Sequence, residues 1–192
     1  DRVTDKSLFG VSLTAAQFGA ADSFFIFSLA PVFGLLVARP GKRGVEPSTP
    51  VKFSLGIAQA GLGFGALVYG AQFPNEAGVV SAWWLICAYL LHTTGELCLS
   101  PVGLSAVTKL AVPSVVGVMM GTWFLASAYS SYVAAQIATI AAQPASATVA
   151  DSADALAGYT ELFSQLLVIG LAGGAVLLIL SPLLKKLMHG VR

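Results

Sequence analysis

His92-Thr-Thr-Gly-Glu-Leu-Cys-Leu-Ser-Pro-Val-Gly-Leu-Ser105 is the stretch whose reading decides the fold. It lies inside an apolar run from about Ala82 to Leu110. A run of that length exceeds the roughly 20 residues a helix needs to cross a bilayer. Glu96 sits about halfway along it, near the membrane midplane. A charged acid there costs roughly 2.5–3.5 kcal/mol on insertion scales. Such a group faces a bundle interior, is paired, or binds a proton, so Glu96 is the leading functional candidate. The plain alternative is an acid satisfied by a neighbouring helix.

Composition extends this reading to the whole chain. Of 192 residues, 56% are hydrophobic and 10% charged, and mean hydropathy is +0.82. Soluble domains carry about 25% charged residues, so the chain is an all-α integral membrane protein. Its net charge of +1 gives no case for nucleic-acid binding. Five apolar runs emerge, at about 14–38, 53–73, 82–110, 115–142 and 162–184, each long enough for a helical span. Isolated strands are excluded from these runs, because a sheet edge finds no partner in lipid. Residues 1–13 read as a polar loop, and Gln143 to Tyr159 as an Ala/Ser-rich one.

If the five runs alternate, eight of the ten basic residues fall on one side: Arg39, Lys42, Arg43, Lys52, Lys109, Lys185, Lys186 and Arg192. The other side carries Asp1, Asp5, Glu76, Asp151, Asp154 and Glu161, with Arg2 and Lys6. The positive-inside rule then makes the C-terminus cytoplasmic and residue 1 external. Trp83 and Trp84 come to the outer interface, where aromatic belts sit. A chain that starts outside, crosses five times and shows no signal peptide is expected to have a further segment upstream.

Several residues compete for chemical roles. On a helix, His92, Glu96, Ser100 and Gly103 form one polar-to-small stripe, and Pro101 removes a backbone hydrogen bond and is expected to kink the helix beside Glu96. His92 is read evenly as a functional group or a simple hydrogen-bonding side chain. Asp22 is a second intramembrane acid, unless tilt wets it from the interface. On the fourth run, Trp123, Ser127 and Ser131 recur at helical spacing with Phe124 and Ser130 adjacent. They suit the wall of a polar site, or else Trp123 is core and Ser127 bonds back to its own helix. Lys109 reads as an end-cap that snorkels to the interface.

Metal is not expected, since no second acid/His pair completes a site with His92 and Glu96. Cys87 and Cys98 lie eleven residues apart on one helix, about 16 Å, too far for a disulfide. An enzyme is not expected, because Ser105 and Ser127 have no His at a suitable depth. Glycine spacings such as Gly117-x-x-x-Gly121 and Gly170-x-x-x-Gly174 read as helix packing.

Three segments carry a resemblance. Gly95-Glu-Leu-Cys-Leu-Ser-Pro-Val-Gly-Leu-Ser105, Val107-Thr-Lys-Leu-Ala111 and Gly117-Val-Met-Met-Gly-Thr-Trp-Phe-Leu125 closely resemble the proton-coupled oligopeptide transporters of the major facilitator superfamily. The likeness continues through Asp22 to Pro31 and Pro50 to Gly56. It implies helices eight to twelve of twelve, most of the C-terminal six-helix bundle, with the preceding helix and the N-terminal bundle absent. It further implies symport of di- and tripeptides with protons, no cofactor beyond the proton gradient, and a multi-pass place in a bacterial inner membrane.

By the same resemblance, Glu96 takes the peptide's ammonium, Trp123, Phe124 and Ser127 line the peptide site, and Asp22 stands where the family has Asn. Glu96 and Asp22 are the proton-binding candidates. Ser23 replaces the family's Pro, and Lys109-Leu-Ala-Val-Pro-Ser departs from its cytoplasmic end. A relative carrying nitrate, an amino acid or a drug is the alternative, and Glu96 argues against an anion, because like charges repel in a dry cavity.

Overall fold

The structure is a computed structural model that describes residues 4–5, 7–8, 11–12, 14–42, 47–75, 78–141 and 149–188. Five helices make up the fold: α1 (Ala15–Lys42), α2 (Thr49–Gly70), α3 (Ala82–Leu110), α4 (Val116–Ala141) and α5 (Val149–Leu187). Of these, α2, α3 and the Ala155–Leu187 part of α5 are long and apolar enough to cross a membrane by length and composition. The chain is thus a helical membrane bundle. In α4, Ser127, Tyr129, Ser130, Ser131, Tyr132, Gln136 and Thr139 dilute the apolar character along one helix.

Local signals explain the ends. Pro50 stands in the first turn of α2 after Ser48, where its missing N–H costs nothing. Ser81 caps α3 by accepting from the Trp83 amide at 3.4 Å. Between them, Gly78 takes φ +72, and its amide donates to the Asn75 carbonyl at 2.9 Å. That left-handed conformation favours glycine and reverses the chain between α2 and α3. A 3₁₀ turn at Pro113–Val115 leads into α4.

Two readings of the loops change. The polar segment 1–13 contains short strands: β1 (Thr4–Asp5) pairs in parallel with β4 (Val80–Ser81), and β2 (Ser7–Leu8) pairs antiparallel with β3 (Val11–Ser12). All lie outside the helices, where water can satisfy their free edges. The segment 143–159 is helical from Val149, because Ala150, Ala153, Ala155, Leu156 and Ala157 are strong helix formers. Residues 142–148 lie outside the described residues. So do Asp1, Arg2, Lys6, Arg43, Glu76 and Arg192, which entered the charge count.

Helix α2 is the central element, packed antiparallel against both α3 and α5. Its α3 face carries Gly56, Gly63 and Gly70, seven residues apart. A Cβ at Gly56 would meet Leu99 Cγ at 2.6 Å, one at Gly63 would overlap the His92 ring, and one at Gly70 would overlap Trp84. The three glycines are sockets for three α3 side chains. On its α5 face, a Cβ at Gly170 would lie 2.7 Å from the Gly61 Cα, so the backbones touch. Beside that crossing, the buried Ser54 hydroxyl donates to the Gly174 carbonyl at 2.7 Å. Close approach through small residues and hydrogen bonds across helices are what hold helices together in lipid.

The antiparallel order sorts the ends. Tyr69, Phe73 and Trp84 cluster at one end, with Tyr69 5.3 Å from each of the other two rings, while Lys52, Lys109, Lys185 and Lys186 fall at the other. Helix α1 packs chiefly on α3, and α4 touches α3 and the foot of α5 only lightly. Gly117 and Gly121 of α4 meet nothing within 4 Å, so among the described residues their spacing packs no helix.

Candidate functional site

The site grows from one turn of α3. Thr93 is fully buried, at 0% exposure, and its hydroxyl donates to Asp22 Oδ1 at 2.6 Å. This bond brings the carboxylate of α1 onto α3 at the residue that follows His92 in the chain. A hydrogen bond to a charged acceptor is short and about twice as strong as a neutral one. It also covers part of the cost of placing Asp22 at depth.

His92 itself points toward α2. Its ring fills the Gly63 socket, packs on Phe64 at 4.6 Å between centroids, and has the Ala60 backbone beside it. Phe64 in turn stacks on Phe163 of α5 at 5.9 Å. Among the described residues, the buried imidazole Nε2 has no hydrogen-bond partner.

Glu96 lies one helical turn beyond Thr93 and His92. It is exposed, so its carboxylate is on a face of α3 that the described helices leave open. Asp22 thus reaches α3 at Thr93, three residues before Glu96. Helix α3 continues without interruption through Pro101. Pro101 has no N–H for the Leu97 carbonyl, one residue past Glu96.

Trp123 joins the stripe lower down. A Cβ at Gly103 would overlap the Trp123 indole and lie 3.0 Å from the Phe53 ring, so Trp123 rests on the glycine seven residues past Glu96. Seven residues return to nearly the same face, about 10.5 Å along the axis. Phe124 is 60% exposed on α4. Ser127 is exposed, and its hydroxyl donates to the Trp123 carbonyl at 3.2 Å, while Ser131 donates to the Ser127 carbonyl at 3.1 Å. The back-bonded alternative for Ser127 is the observed geometry. Its oxygen keeps acceptor capacity but no donor for a ligand in this rotamer.

Two contributors escaped the sequence reading. Thr93 was one hydroxyl among many in α3, and only burial singles it out. Gln59, the lone amide in the middle of α2, donates to the Thr94 hydroxyl and ties α2 to α3 one residue away. Thr94 donates onward to the Leu90 carbonyl at 2.8 Å. No group of three His, Cys, Asp or Glu side chains able to hold a metal is found among the described residues.

Comparison with known proteins bears on what this arrangement belongs to. The sequence model of the POT family matches residues 2–157. The uncharacterized transporter YclF of Bacillus subtilis is 42% identical over 185 residues, covering 96% of this chain and 34% of that protein. Dipeptide and tripeptide permease A of Edwardsiella piscicida is 35% identical over 189 residues, covering 97% and 37%. The chain thus spans about a third of the length of these curated relatives. Among solved structures, peptide transporter POT in complex with sulfate superposes with TM-score 0.75 at 32% identity, covering 98% of this chain and 35% of that one. A POT family transporter in complex with a thioalcohol-conjugated peptide gives 0.66 at 28%, covering 92% and 33%. With a glutamate at mid-span, a superposition that covers 98% of the chain and a family match over residues 2–157, this chain belongs to the POT family.

Proposed function

We propose that the chain forms most of the C-terminal bundle of a proton-driven symporter of di- and tripeptides, completed by a preceding helix and an N-terminal bundle. The observation that carries this is the pair of carboxylates around Thr93. Glu96 is open and Asp22 is held on Thr93, one turn away along α3, at a depth where an anion persists only for a reason. An ammonium group is the natural counter-ion for such a pair, and dipeptide permeases are among the relatives. Glu96 takes the ammonium. Asp22 adds to the field, and Trp123 and Phe124 form apolar walls for the peptide's side chains, with Ser127 offering an acceptor.

Two acids disfavour nitrate or another anion at this site. Rocking of two bundles about the mid-membrane site would expose it alternately to each side. The lysine-rich end of α2, α3 and α5 is placed in the cytoplasm of a bacterial inner membrane, with the C-terminus on the same side. The cycle needs no cofactor and no catalytic step, only the proton gradient.

The test is uptake of labelled dialanine into liposomes holding the full-length transporter, under an inward proton gradient. Wild type accumulates the peptide, and Glu96→Gln loses accumulation. A wild type indifferent to dipeptides, or a fully active Glu96→Gln, overturns the assignment.

A further inference from the structure

His92 is buried, titratable and unused by the mechanism above. Its ring is immobilised between the Gly63 socket and Phe64, yet Nε2 has no partner among the described residues. A fixed imidazole with a spare nitrogen becomes a proton acceptor where a nearby negative charge offsets the cost of burying the imidazolium. The Thr93 bond sets the Asp22 carboxylate against the residue of α3 that follows His92 in the chain. Thr93 engages only one carboxylate oxygen.

Among the described residues, the neighbours leave this pair isolated. From α2, the ring meets Ala60, Gly63 and Phe64, none of which titrates. From α5 the nearest layer is Phe163, stacked on Phe64. Asp22 is the ionisable group that α1 brings to it, and Glu96 stands one turn along its own helix.

We propose that His92 and Asp22 together form a proton-binding site, filled at the same time as the ammonium site at Glu96. The inference rests on the peptide-symport reading. Charge accounts for the coupling. Two carboxylates and one ammonium leave one surplus negative charge in a low-dielectric interior. One proton taken from water at Nε2 turns imidazole and carboxylate into an imidazolium–carboxylate pair, and the loaded site becomes neutral. A neutral site crosses between its two states without carrying unpaired charge through lipid. The Asp that stands where the family has Asn creates the surplus, and His92 supplies the nitrogen that answers it.

The experiment has two arms on the full-length transporter. In the first, the proton-to-peptide ratio is read in liposomes by setting a proton gradient against a dialanine gradient and finding the point of no net flux. That ratio is an equilibrium quantity, so a slow variant is still readable. His92→Gln lowers it by about one proton per peptide, and an unchanged ratio overturns the proposal.

The second arm needs no peptide. Nitrogen-15 spectra of labelled histidine, wild type minus His92→Gln, isolate the His92 signal in detergent, with single-species elution confirming that the variants fold. The signal titrates between about pH 5 and 8, and its midpoint moves by about half a pH unit or more in Asp22→Asn. A signal that stays constant, or is indifferent to Asp22→Asn, overturns the site. If wild type carries no dialanine, the transport reading fails alone and this second arm still decides the pair.

Discussion

Thr93 shows what a single side chain contributes that charge alone does not. Its hydroxyl fixes the Asp22 carboxylate at 2.6 Å and is itself sealed from solvent. Thr93→Val keeps the shape and removes the donor. Hydrogen bonds to charged groups are worth about 1.5–3 kcal/mol. The half-saturating dialanine concentration is therefore expected to rise about tenfold or more, while Thr93→Ser restores it; dose–response uptake reads both. Glu96 and Asp22 were legible in the sequence because a carboxylate in an apolar run is conspicuous on its own. Thr93 was not, because its role depends on which face of α3 meets α1, and a hydroxyl says nothing of that. Ser127 was legible only as two alternatives, and a bond to its own helix decided between them.

Between helices, the glycines divide into two kinds that composition cannot separate. Gly61 and Gly170 meet backbone to backbone, so Gly170→Val must push α5 away from α2. Overpacking of this type costs about 1–3 kcal/mol, and thermal unfolding in detergent is expected to show a lower midpoint. Gly121 on α4 faces open space. Gly121→Ala is expected to leave the midpoint unchanged or raise it, since alanine favours the helix by about 1 kcal/mol. A large loss there would mean that α4 packs tightly on a surface outside this chain. Both positions sit in the same small-xxx-small pattern. The difference arises from the relative rotation of two helices, which no single helix encodes. The fifth helix likewise begins earlier than its apolar run, because helix propensity continues from Val149 where hydropathy does not.

At the scale of the whole molecule, α2 holds α3 on one face and α5 on another, and α1 and α4 lean on α3. The open face beside Glu96 was not legible, since exposure depends on what else surrounds the bundle. Orientation has a direct check. Cysteine placed at Lys185 or Lys109 is expected to react with a membrane-impermeant maleimide only from the cytoplasmic side, in a background where Cys87 and Cys98 are replaced. Labelling from outside reverses the proposed topology.

The sockets on α2 also bear on biosynthesis. Helix α2 emerges from the ribosome before α3 and well before α5, so Gly56, Gly63, Gly70 and Gly61 meet lipid before they meet their partners. By length and composition α2 can cross on its own, and it is no less apolar than α3, so what it lacks before α3 arrives is cover for its grooves, which Leu99, His92 and Trp84 then close. Nascent chains truncated before Ala82 are expected to hold α2 in the bilayer with those grooves open to lipid, and chains extended past Leu110 to close them.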